Sequence, residues 1–238
     1  MPEPQFRLPV VKTADDVDAL EHLSESEKDL GKKNLSMIPP TDGWWILGSD
    51  PELQSFYQIW ERELTGLLFP NFQATPFGPM NLITLQVARL LGSDYVVALL
   101  TANTATAIAH GDLGVAGYTK LGMLAYPDSS VWTAEERLTL KFTEASLRRN
   151  MTDELFAQCL ATWGTQKTLR HLSWLGYINQ MVLIAETLGM RYIPETMQPP
   201  STDMTPDMIS QIVANVAHTT DSVRQMWDNL AQFEHYRQ

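Results

Sequence analysis

Apolar residues recur along this chain at the three- and four-residue steps of a helix, and no convincing stretch alternates apolar and polar in the manner of a strand. The pattern is densest from Met80 to Gly111, MNLITLQVARLLGSDYVVALLTANTATAIAHG. Leu82, Leu85, Val87, Leu90 and Leu91 fall mostly on one face of a first helix. Gly92-Ser93-Asp94 is a tight break, and a second helix runs from there to about His110. That second helix is apolar on most of its circumference, so the pattern makes it the central, buried one. Ser93 then stands at a buried helix start, where unpaired N–H groups and the positive end of the dipole favour a site.

The flanking segments read as further helices. Met1 to Pro9 is an extended arm, and Thr13 caps a charged surface helix from Asp15 to about Leu30, with Gly31 as its stop. Met37 to Trp45 is a loop by its Pro and Gly content. Ser49-Asp50-Pro51-Glu52 is a strong helix start, followed by Leu53, Phe56, Tyr57, Trp60, Leu64, Leu67 and Leu68 at helical spacing. A short helix follows from Val115 to about Ala125, and Thr133-x-x-Glu136 is a capping box for a helix to about Arg148. Thr152 opens a helix to about Trp163, and a long one from Gln166 to Leu188 ends at Gly189. After a Pro-rich connector, Asp207 to about Phe233 is a last helix. The expected organisation is therefore all-α: an arm and surface helix over 1–48, a helical core over 49–190, and a C-terminal extension helix over 191–238.

Composition narrows the function classes. A length of 238 residues suits one domain with extensions, and 44% hydrophobic residues suffice for a sizeable core. A net charge of −11 argues against nucleic acid or an anionic membrane as partner, since both need a positive patch. One cysteine, Cys159, excludes an intrachain disulfide framework. Neither a signal peptide nor an apolar run of membrane-spanning length is present, so a cytoplasmic protein is expected.

Two segments carry a family resemblance. NLITLQVARLLGSDYVVALL is similar to the core motif of the AhpD-like, or carboxymuconolactone decarboxylase, superfamily. WTAEERLTLKFTEASLRRN, with the Gly176-Tyr177 and Leu188-Gly189 pairs that follow, resembles that family's second half. The resemblance covers roughly Asp50 to Met190 and implies an AhpD-like helical bundle with N- and C-terminal helical extensions. It also implies a homo-oligomer and a site with neither metal nor organic cofactor. Peroxidase-type members carry Glu, then Cys-x-x-Cys, then His. On the matching positions this chain has Asn81, Ser93, Val96 and Leu100. A dithiol peroxidase needs a thiolate and a resolving thiol close by, so peroxidase chemistry is rejected.

The remaining candidates each have a plain alternative. Asp94, at the family's acidic position, is an acid/base group or the partner of an N-cap. Ser93 is more readily a helix cap than a nucleophile, since no G-x-S-x-G elbow surrounds it. His110 is a general base or a cation at a helix C-terminus. His171 stands where the family has an apolar residue, and Tyr177 can donate a proton or orient a substrate. Trp44 and Trp45 either plug the arm onto the core or wall a ligand pocket, in which Tyr57, Trp60, Tyr95 and Trp174 would join them. The five histidines are scattered without a metal-ligand pair, and no phosphate-binding glycine motif occurs.

Three readings compete on these residues. The first is a cofactor-independent, non-redox lyase, isomerase or cyclase that moves protons on a small apolar or aromatic substrate. The second is a non-catalytic ligand-binding protein, and the third a structural pseudoenzyme. A pocket lined only by apolar atoms would favour the second, and a collapsed one the third.

Overall fold

The computed structural model describes residues 6–37, 46–68, 77–93, 96 and 114–190. Seven helices occur among them: α1 (Ala14–Asp18), α2 (Glu25–Met37), α3 (Pro51–Leu68), α4 (Pro79–Leu91), α5 (Gly114–Gly122), α6 (Ala134–Leu147) and α7 (Asp153–Thr187). No strand occurs among the described residues, and the fold is all-α. The expected helices over 95–110 and 207–233, and the loop bearing Trp44 and Trp45, lie outside the described residues.

α4 is the hub, packing against both α6 and α7. Every residue from Leu82 to Ala88 is buried. Leu82 and Leu85 enter a core with Phe77, Leu124, Trp132 and Leu140. Ile83 and Val87 enter the larger core with Phe142, Trp163, Trp174 and Ile178. Thus α4 is buried all round over two turns, where the pattern of leucines had marked one face. The reason is that Thr84 and Gln86 are buried with the leucines. Thr84 satisfies its hydroxyl on the Met80 carbonyl at 2.7 Å, which lets a polar residue sit on a buried face.

The break after α4 is as the sequence implies. Gly92 ends the helix at φ 71°, in the left-handed region that an L side chain enters at a cost. The Ser93 amide then bonds the Ala88 carbonyl at 3.1 Å, which closes the helix end.

The N-terminal region departs from the single surface helix expected over Asp15–Leu30. Thr13 does cap α1 with a capping box, as read. But α1 is only five residues long, and α2 restarts at Ser24, which forms a second capping pair with Glu27. Leu20 and Leu23, in the break, are buried with Val11 and Val17 in a small core of their own. Gly31 is not a stop: α2 continues through it to Met37. A Cβ at Gly31 would stand 3.2 Å from Val17 and 3.3 Å from Pro51, so the glycine serves close approach between α1, α2 and the start of α3. Asn34 completes the junction by donating to the Pro51 carbonyl at 2.9 Å and accepting from Ser55 at 3.0 Å.

α3 starts as predicted, with the Asp50 carboxylate accepting from the Leu53 amide at 3.0 Å. It runs antiparallel to α7, since Tyr57 meets Gln180 and the Leu67 carbonyl meets Arg170. The capping box of Thr133 and Glu136 on α6, and the Thr152 cap of α7, also form as read. The two expected helices over Thr152–Trp163 and Gln166–Leu188 form as read: α7 is a pair of helices joined across a kink at Gly164, whose φ of 73° and ψ of 168° are not helical. Glycine tolerates that conformation, and the kink lets Cys159 and Trp163 face the same core as Trp174.

Candidate functional site

The polar cluster that stands out lies where α3 crosses α7, inside the main core. On α3, Tyr57 and Glu61 are one turn apart, and Trp60 and Leu64 share their face. On α7, Trp174, Tyr177 and Gln180 follow at three-residue steps. The Tyr177 hydroxyl donates a hydrogen bond to the Glu61 carboxyl. Gln180 donates from its amide nitrogen to the Tyr57 hydroxyl. The Tyr177 ring meets Trp60 edge-on at 5.3 Å and lies against Trp174 at 5.2 Å. Trp174 is in turn fixed by donating to the Thr84 hydroxyl at 2.8 Å. Each ring of the cluster is thereby held by a neighbour on another helix.

Burial decides the electrostatics. Removing the Glu61 carboxyl from water penalises its charge and raises its pKa to about 7, with the Tyr177 hydrogen bond pulling the other way. Tyr177 is pushed up by burial first and by the neighbouring Glu61 charge second. Tyr57 is also raised by burial. A carboxyl that gains and loses its proton near neutral pH is suited to acid/base work.

The residues singled out from sequence fall in several places. Tyr177, Tyr57, Trp60 and Trp174 come together with Glu61. His171 does not join them. It is buried, with its ring edge-on to Trp163 at 4.6 Å and Nδ1 without a hydrogen-bond partner. Burial, aided by the Lys167 charge, lowers its pKa to about 4, so it is neutral at pH 7. Ser93 is fully buried and its hydroxyl is committed: it donates to Glu186 at 2.6 Å and accepts from the Val96 amide at 3.3 Å. That is the geometry of a helix cap tied to a carboxylate. Glu186 lies nine residues beyond Tyr177, about 14 Å along the α7 axis. Ser93 and Tyr177 are therefore at different levels of the bundle. Asn81 is half-buried in the first turn of α4. Asp94, Tyr95, His110, Trp44 and Trp45 lie outside the described residues.

Glu61 and Gln180 were not among the residues picked from sequence. A signal was there for Glu61: Tyr57, Trp60, Glu61 and Leu64 put one acid inside an apolar helical face, where charge is costly unless it serves a purpose. Gln180 carried no such mark.

A separate apolar groove of about 950 Å³ opens at the other end of α7. Leu20, Ile46, Leu47, Leu53, Ile184 and Leu188 line it, with Glu21, His22 and Asp50 among the few charged or polar neighbours. His22 donates from Nε2 to the Ser49 carbonyl at 2.9 Å at its rim. Among the described residues, no three His, Cys, Asp or Glu gather as a metal site, and no helix is long and apolar enough to cross a membrane.

The class so defined is an all-α bundle with a carboxyl–phenol pair buried among tryptophans. Family models, curated proteins and solved structures gave no match to this chain.

Proposed function

We propose that the chain is a cofactor-independent, non-redox enzyme of the carboxymuconolactone decarboxylase-like type, a lyase or isomerase acting on a small apolar or aromatic substrate. The observation that carries this reading is Glu61, a carboxyl with a pKa of about 7 hydrogen-bonded to Tyr177 between two indole rings. In this reading Glu61 takes a proton from a carbon next to a substrate carbonyl and returns it at another position. Tyr177 holds the carboxyl in place and keeps the charged form from being too costly. The proton balance closes on one residue, so no metal or organic cofactor is called for. Trp60 and Trp174 pack on the Tyr177 ring and fix its position. A sequence with one cysteine agrees with the cytoplasm as its place.

The test is exchange of solvent deuterium. Small unsaturated lactones and conjugated keto acids are incubated with the protein in D₂O, and exchange beside the carbonyl is followed by NMR. Exchange that rises through an apparent pKa near 7 and falls at least 100-fold in Glu61→Gln supports the proposal. Exchange at the same rate in Glu61→Gln, or none across the panel, sinks it.

The apolar groove favours a second reading, in which the chain binds an apolar molecule without transforming it. Leu20→Glu would abolish binding of a fluorescent apolar probe in that case, while Glu61→Gln would leave it unchanged.

A further inference from the structure

The outer face of α7 carries a stripe with no partner in the described chain. Leu169, Leu172, Gly176, Asn179 and Leu183 follow one another at alternating three- and four-residue steps, and all are exposed. Leu169 is 56%, Leu172 45% and Leu183 65% exposed. That spacing is the seam of two helices packed side by side.

Gly176 stands in the middle of the stripe. A Cβ there would meet nothing within 4 Å. Glycine is a poor residue for a helix interior, and no contact within the described chain explains this one. A second backbone crossing at this point would explain it, because glycine permits close approach. Charge agrees. From His171 to Ala185 the chain has no Asp, Glu, Lys or Arg, although its net charge is −11. Charge depletion marks the centre of protein interfaces. Two copies of an acidic chain also meet at least cost on an uncharged face.

We propose that this face is a two-fold interface between two copies of the chain, with the two α7 helices crossing antiparallel at Gly176. The stripe is close to symmetric about that glycine. Leu169 lies seven residues before it and Leu183 seven after, so Leu169 of one copy packs on Leu183 of the other, twice. α3 widens the face. Its exposed Leu53 lines the groove that Leu183 also lines, its exposed Phe56 is one residue from Tyr57, and its exposed Leu67 is bonded to Arg170 beside Leu169. Half-exposed side chains of this size offer roughly 100 Å² each by the usual area accounting. Six of them, with the glycine and polar residues between, approach the ~800 Å² per partner of a standard stable interface.

Sedimentation velocity of the full chain at tens of micromolar tests this, together with cross-linking. The expected result is a dimer, with Gly176→Leu weakening it at least tenfold while the helical circular dichroism is kept. A short bis-maleimide should join Leu169→Cys to Leu183→Cys when the two variants are mixed, and neither variant to itself. Cys159 is fully buried with its thiol pKa raised to about 11, so it gives little background. A monomeric wild-type chain, a Gly176→Leu variant that dimerises as tightly, or self-linking of either cysteine variant overturns the proposal.

Discussion

The phenol of Tyr177 on α7 donates to the carboxyl of Glu61 on α3, across the contact between the two helices that hold most of the aromatic core. The bond links the chemistry of the cluster to its stability, because the proton that Glu61 exchanges also changes the free energy of folding.

Glu61 has a folded pKa of about 7 against an ordinary 4.5. Its contribution is fully present below pH 4.5 and is lost as pH rises towards 7. The loss is about 3 kcal/mol, at roughly 1.4 kcal/mol per pKa unit. Relative to wild type, Glu61→Gln should tilt the pH dependence of urea unfolding upward by this amount between pH 4.5 and 7. An unchanged slope would show that the carboxyl titrates normally.

His171 acts with the opposite sign. Its folded pKa is about 4 against 6.5, so its contribution is present above pH 6.5 and is lost as pH falls towards 4. The magnitude is again about 3 kcal/mol. Between pH 4.5 and 6.5 the two groups nearly cancel. The wild-type chain should therefore show little net slope there from this pair, Glu61→Gln a rising one and His171→Phe a falling one. His171→Phe should also be neutral or stabilising by about 1 kcal/mol at pH 7, since it removes the unpartnered Nδ1. Denaturation midpoints of the three proteins across this range check both statements.

Ser93 should behave as a cap. Ser93→Ala removes the bond to Glu186 and the one from the Val96 amide, and should cost about 1–2 kcal/mol. In the deuterium exchange assay it should keep most of the wild-type rate. A loss as large as that of Glu61→Gln would restore Ser93 as a candidate for the chemistry.

Gly31 is predicted to be intolerant of size. Gly31→Val adds carbon where the first atom already stands 3.2 Å from Val17 and 3.3 Å from Pro51. Overpacking should cost about 2 kcal/mol, visible as a lower melting temperature. An unchanged melting temperature would show that the junction has room for the side chain.

Much of the helical layout was legible because it is set by short-range chemistry. The Thr13, Asp50, Thr133 and Thr152 caps and the stops at Gly92 and Gly189 each depend on residues within one turn. Where the reading failed, a local signal met a distant contact. Gly31 looks like a terminator, yet it is required by Val17 and Pro51. The leucines of α4 suggest one apolar face, yet cores on two sides bury Thr84 and Gln86 as well. Of the residues picked from sequence, Tyr57, Trp60, Trp174 and Tyr177 lie together in the structure. His171 and Ser93 were picked for their chemistry but are occupied otherwise, one by a tryptophan edge and one by a carboxylate.

By itself, the amino-acid order determined an all-α chain, the starts and stops of most of its helices, and the absence of a paired thiol. Those follow from hydrogen bonds and steric limits that reach three or four residues. Only the tertiary structure decided that Glu61 sits beneath Tyr177, and that His171 and Ser93 do not. Burial and the field of neighbours set a proton's affinity, and both come from helices more than a hundred residues apart in the chain.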